Sequence, residues 1–178
     1  MRISVTGTPG VGKTTVSKLV AQKLGLLYVD VGGFARKKGF IVGREGGSDV
    51  VDEKKVKVRL SRMDDCVLDW HYSETLGTDY VCVLRLPPLL LLKRLSKKRY
   101  SKRKLKENLM AEMLDVCLVS ALMRNPSRNV FEMLNKDSHK TTLQIVRIVR
   151  NDDRRKSFKG RSICNFLTIK NLEWFLDV

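Results

Sequence analysis

RISVTGTPGVGKTTVSKLVAQKL, residues 2–24, is the stretch on which the fold turns. Arg2 to Thr6 alternates and is rich in β-branched residues, the pattern of a half-buried strand. Gly7, Pro9, Gly10 and Gly12 then break the regularity within six residues. From Lys13 to Leu24 the apolar positions Val16, Leu19, Val20 and Leu24 recur at helical spacing. The order is strand, tight turn, helix.

Within that unit, Gly7-Thr8-Pro9-Gly10-Val11-Gly12-Lys13-Thr14 satisfies G-x-x-x-x-G-K-[ST]. Glycines let the backbone curl so that successive N–H groups converge on phosphate oxygens, and the helix N-terminus adds the positive end of its dipole. Lys13 is placed to reach β- and γ-phosphates, and the Thr14 hydroxyl to ligate Mg²⁺. A Gly-rich turn can also join strand to helix with no ligand, but such a turn has no need of Lys and Thr at these two positions. ATP with Mg²⁺ is the expected occupant.

Further along, Leu26–Val29 reads as a short strand. Gly32 to Asp49, rich in glycine and charge, has little to bury and is expected to form a mobile surface element. Val51–Met63 reads as a polar helix with Asp52 as N-cap. Cys66-Val67-Leu68 is a buried strand ending at Asp69, and Tyr80–Leu84 is another. Pro87 and Pro88 open a helix to about Lys98, Ser101 caps a long one through about Met123, Asn129–Leu134 is a fifth strand, and Thr141–Arg150 a helix. The apolar end, Ile163 to Val178, is expected to pack back on the body. Strands alternating with helices predict an α/β fold: a five-stranded, mainly parallel sheet covered by helices on both faces, in one domain spanning residues 1–178.

Asp69, at the C-terminal end of a buried strand, faces the crevice where an open α/β sheet takes its ligand, and can orient Mg²⁺ through water. It can equally cap a loop. His71, two residues on, either contacts phosphate or is an ordinary polar residue. Lys97, Lys98, Arg99, Lys102, Arg103 and Lys104 form the densest basic cluster, at a joint between two helices. Such a run is commonly a solvated face, but on a hinge it can close over ATP.

Lys and Arg number 35 against 19 Asp and Glu, a net charge of +16 that should attract polyanions. Cys66, Cys82, Cys117 and Cys164 show neither paired nor zinc-ligand spacing, so they are expected to be reduced core residues. The start of the chain lacks a secretory pattern, and the most apolar run, Leu84–Leu92, is interrupted by Arg85, Pro87 and Pro88. An internal, cytoplasmic location without membrane spans is expected.

With these residues in view the sequence resembles the adenylate kinase isoenzyme six family, called Fap-seven in yeast, whose archaeal members are small adenylate kinase-like proteins. The likeness rests on Gly-Thr-Pro-Gly-Val-Gly-Lys-Thr-Thr at 7–15, Asp69-Trp70-His71, Val83-Leu84-Arg85 and Arg94-Leu95. Tyr100-Ser101, Lys104-Leu105, Glu107-Asn108 and Ala111-Glu112 continue it, over about residues 1–150. The resemblance implies phosphoryl transfer from ATP to AMP as acceptor, with ATPase activity and a part in small ribosomal subunit maturation. Ribosomal RNA and a small-subunit ribosomal protein would be partners. It assigns nucleotide binding to Gly10, Gly12, Lys13, Thr14 and Thr15, the Mg²⁺-orienting role to Asp69 beside His71, the acceptor segment to residues 30–53, and a lid to residues 98–108. The family's Arg-Gly-Tyr-Ser is here Lys98-Arg99-Tyr100-Ser101, so the lid cation becomes Lys98 or passes to Arg99. These are not equivalent, since guanidinium grips phosphate bidentately and ammonium is a point charge.

Overall fold

The computed structural model describes residues 1–45, 48–98 and 100–176. Its elements run β1 (Arg2–Thr6), α1 (Lys13–Leu24), β2 (Leu27–Asp30), α2 (Val31–Lys37), β3 (Ile41–Glu45), β4 (Ser48–Val51), α3 (Glu53–Leu60), β5 (Cys66–Asp69) and β6 (Tyr80–Arg85). They continue α4 (Pro88–Leu95), α5 (Lys102–Met113), α6 (Val116–Arg124), β7 (Val130–Leu134), α7 (Ser138–Arg150) and α8 (Ile169–Leu176). The five-stranded sheet has the order β2-β5-β1-β6-β7, every pair parallel, as the sequence predicts.

Side-chain alternation divides the core between the two faces of that sheet. Ile3, Val5, Val67, Cys82, Leu84, Phe131 and Met133 meet Val16 and Val20 of α1 and Ile145 and Ile148 of α7. On the other face Cys66 and Leu68 meet Ala35, Val56 and Leu60, while Val81, Val83 and Val130 meet Leu118 and Ala121. Because β1 lies between β5 and β6, the chain leaves its C-terminal end at a switch in strand order, which opens a crevice there.

Residues 32–49 bury more than the sequence suggests. Asp30 accepts a hydrogen bond from the Gly33 amide (2.9 Å) and starts α2, which buries Val31 and Ala35. β3 and β4 pair antiparallel, and Asp49 takes Arg36 and Arg44 at 3.1 Å each, so charge that looked merely solvating ties the segment together. Asp52 caps α3 as expected, while Val51 belongs to β4.

The single helix expected from Ser101 to Met123 is two. Asp115, in left-handed conformation (φ 58°), separates α5 from α6. The cause is Arg85, 1% exposed at the end of β6. It pairs with Glu112 (3.0 Å), Glu132 (2.8 Å) and Asp115, and donates to the Glu112 carbonyl (2.8 Å), drawing the last turn of α5 onto itself. Ser162 Oγ and the Ile163 amide then donate to the two Glu132 oxygens at 2.7 Å. The apolar end does pack back: Phe175 of α8 is buried in the same core cluster as Leu109 and Met113. All four cysteines are free, and burial pushes the Cys82 and Cys164 thiols up to about 12.

Candidate functional site

The turn after β1 has the shape its glycines allow. Gly7 has φ 136°, and a Cβ there would fall 2.5 Å from the Leu84 carbonyl oxygen. Gly12 has φ 104° and would place one 2.6 Å from Asn135 Nδ2. Two side chains hold the turn from outside: Asn135 Nδ2 donates to the Val11 carbonyl (2.7 Å), and Arg94 Nη1 donates to the same oxygen (3.2 Å). With the Val11 carbonyl engaged and the Val11 amide donating to the Thr8 carbonyl (3.3 Å), the remaining amides of the turn are left to converge on an anion.

Lys13 lies across the turn, donating to the Gly7 carbonyl (2.7 Å) and the Thr8 carbonyl (3.2 Å). Burial lowers its pKa, with Cys117 and Asp69 opposing. No carboxylate pairs with Lys13 among the described residues. A half-buried cation held by carbonyl dipoles is short of counter-charge, and a phosphate supplies it.

Register sets Asp69 level with Asp30 and Val5 at the C-terminal edge of the sheet. Its carboxylate is nearly buried and accepts from the Tyr28 hydroxyl (2.9 Å). Burial and this carboxylate raise the pKa of Tyr28, which keeps the phenol a donor. Beyond it, the Thr6 hydroxyl meets the His71 carbonyl (3.2 Å) and Glu74 (2.6 Å). Ser120 reaches the other Glu74 oxygen (2.8 Å), pinning the 71–74 segment to the sheet. Burial first, then Lys13 and Lys104, push the His71 imidazole down to about 4, so it is neutral near pH 7.

Two clefts open here. The first, about 720 Å³, is lined by Gly10, Gly12, Lys13, Thr14, Thr15, Lys98 and His71, joined by Pro9, Arg94, Tyr100, Lys104 and Ser138. The second, about 840 Å³, lies between Asp49–Val51 and Glu53 on one side and Trp70–Tyr72, Ser101, Arg103, Lys104 and Glu107 on the other. His71 and Lys104 line both. The structure therefore brings Lys13, Thr14, Thr15, Lys98 and His71 together, with Asp69 at the strand end behind them. Arg99 lies outside the described residues.

Arg94, Asn135, Tyr100 and Ser138 are site residues to which the sequence reading gave no individual role, and Lys104 figured there as one charge of a cluster and as part of the lid expected at 98–108. Their signals were faint: Arg94 is one of two adjacent cations, with Lys93, ending a mostly apolar helix, and Asn135 follows the edge strand β7. As for a metal, Thr14 and Asp69 offer oxygen only, the donor type Mg²⁺ prefers. Among the described residues no group of three or more His, Cys, Asp or Glu could hold an ion alone. Mg²⁺ is commonly held by one or two protein oxygens together with substrate phosphates.

A protein-family model described as AAA domain matches residues 3–115, more than half of the chain and the whole of the turn, Asp69 and both cleft walls up to α5. The chain belongs to this family. It is 39% identical over 157 residues to a Methanococcus maripaludis protein named "Putative adenylate kinase", covering 82% of this chain and 87% of that one. A Thermococcus gammatolerans protein of the same name is 46% identical over 137 residues, 75% of each chain. Among solved structures, shikimate kinase from Aquifex aeolicus superposes with TM-score 0.58 at 16% identity, covering 86% of this chain and 98% of that one. A gluconokinase from Sinorhizobium meliloti gives 0.57 at 15%, covering 86% and 96%. These superpositions bear out the P-loop α/β fold. No helix among the described residues is long and apolar enough to cross a membrane.

Proposed function

We propose that the protein is a nucleotide kinase of the adenylate kinase isoenzyme six type, moving the γ-phosphoryl group of ATP to AMP. The observation that carries this is the pair of clefts meeting at His71 and Lys104, one built on the phosphate-binding turn and the other facing it. A hydrolase needs one nucleotide cleft and a water. A transferase needs two substrates end to end, and this arrangement supplies the room for them.

ATP occupies the first cleft, its phosphates on the amides of Gly10 to Thr15 and on Lys13. Mg²⁺, held through Thr14 and oriented through Asp69, would neutralise phosphate charge there. AMP occupies the second, held by the segment 30–53, with residues 98–108 as the lid. The acceptor phosphate oxygen forms a bond to γ-phosphorus as the bond to the ADP oxygen breaks; no enzyme intermediate is needed, and positioning with charge stabilisation provides the acceleration. Lys104, on the shared wall, stabilises charge on the group in flight, and neutral His71 offers a ring nitrogen to phosphate or water. Lys98, exposed on the rim of the first cleft, is a lid cation of the resting state.

The second reading is an ATPase in ribosome assembly, with AMP phosphorylation incidental. The net charge of +16 favours it, being far more cation than a nucleotide requires. Measuring ADP formation from ATP alone, and from ATP with each nucleoside monophosphate, separates the two. The kinase reading expects AMP to accelerate turnover many-fold with two ADP formed per ATP consumed; a rate indifferent to every monophosphate would leave only the ATPase.

A further inference from the structure

The excess of cation is unevenly spent. In the run Arg154 to Lys156, Arg154 pairs with Asp152 (2.6 Å) and lies 4.1 Å above the Tyr80 ring, while Arg155 pairs with Asp153 (2.9 Å). The cluster after α4 lines the nucleotide clefts through Lys98 and Lys104. Helix α3 is different. Lys54, Lys55, Lys57 and Arg59 are all exposed along it, as is Arg62 just beyond, and among the described residues only Lys55 has a carboxylate partner, Asp52 at 3.3 Å.

Two hollows flank this helix. One, about 380 Å³, is lined by Phe40, Lys54, Lys55, Val58, Arg59 and Arg62; the other, about 350 Å³, by Glu53, Lys54, Lys57, Thr75, Gly77 and Arg124. They share Lys54, and the second shares Glu53 with the 840 Å³ cleft. The result is a cationic track that wraps α3 and ends at the mouth of the second cleft.

We propose that this track binds single-stranded RNA. Its charges are strung along a helix about 12 Å long rather than focused on one point, which suits a chain of phosphates and not one compact anion. Phe40 and Val58, the latter 62% exposed, give the first hollow an apolar floor between cations, which can receive the face of an unpaired base; a duplex has no free base faces to offer. Glu53 at the far junction would repel a phosphate, yet it can accept a hydrogen bond from a ribose 2′-hydroxyl. An acidic polypeptide would answer the cations but would set its carboxylates against Glu53 and leave the apolar floor bare. The track lies outside the phosphate-binding turn, so the inference stands whether or not the transfer reading does.

The test is fluorescence anisotropy of a labelled twelve-nucleotide oligouridylate with the full chain, at several salt concentrations. K54Q/R59Q/R62Q should weaken binding at least tenfold and reduce the slope of log K against log salt by about 2, near 0.7 for each lost phosphate contact. K140Q/R147Q/K170Q removes the same net charge from other exposed positions and should weaken binding no more than about threefold, the residue of long-range attraction. Equal losses in the two triple variants would overturn the track. Twelve-nucleotide oligothymidylate should bind more weakly; equal binding would overturn the ribose contact at Glu53. An oligoglutamate that displaces the RNA at equal concentration would overturn RNA in favour of an acidic protein. Ultraviolet crosslinking of unmodified protein to the oligouridylate provides a readout independent of any variant's folding: crosslinks at Phe40 or within residues 53–62 are expected, and crosslinks found only elsewhere would refute the proposal.

Discussion

Lys13, half-buried, and Arg85, 1% exposed, are both cations at the C-terminal side of the same sheet, and their surroundings are opposite. Among the described residues Lys13 has two carbonyl oxygens and no carboxylate, and burial lowers its pKa. Arg85 has three carboxylates and a carbonyl, with Glu112 and Asp115 holding its pKa above the usual value against the opposing effect of burial. A cation with its counter-charge built in holds the fold together; one left short of it is a place for an anion to arrive. Charge balance thus separates a cation that holds structure from one that awaits a ligand.

The comparison predicts where each substitution is felt. Arg85→Met leaves Glu112 and Glu132 buried without their partner and should cost about 3–5 kcal/mol of stability, read by urea or thermal unfolding. A variant as stable as the parent would break the claim that this cation is structural. Lys13→Met should leave the unfolding curve nearly unchanged while lowering phosphoryl transfer at least 100-fold, the scale of removing a principal charge stabiliser. Near-normal turnover would sink the assignment of the turn.

Smaller effects sharpen the line between positions inside the site. Lys104→Ala should slow transfer by about 10- to 100-fold, more than Lys98→Ala, because Lys104 faces both clefts and Lys98 only one. Steady-state rates for the pair decide it, and a reversed order would move the charge-stabilising role from Lys104 to Lys98. For His71, whose imidazole is neutral near pH 7, the amide of Gln can replace the hydrogen bond but not a proton transfer. His71→Gln should therefore keep several-fold more activity than His71→Ala; equal losses would show that the ring does more than donate or accept.

Much of this arrangement was legible before any coordinates. The turn announces itself because the conformational demands of Gly7 and Gly12 and the chemistry of Lys13 and Thr14 are all local, and Asp69 announces itself by ending a buried strand. Arg85 did not, since in sequence it only interrupts an apolar run, and its three partners lie 27, 30 and 47 residues away. The break at Asp115 was hidden for the same reason: apolar periodicity runs on from α5 into α6, and the force that ends the helix comes from another element. Residues 32–49 misled through composition, because Gly32 and Gly33 sit inside a short capped helix and Asp49 gathers two arginines that look solvated when read one at a time.

The two bonds from Ser162 and Ile163 to Glu132 also give the molecule an order in time. During synthesis Arg85, Glu112 and Glu132 leave the ribosome well before residue 162, so the nascent sheet holds a Glu132 whose carboxylate lacks those two donors. The phosphate-binding turn can be complete while the region behind it is still loose, and the protein reaches its final rigidity only once the segment around residues 162–175 has emerged and folded down.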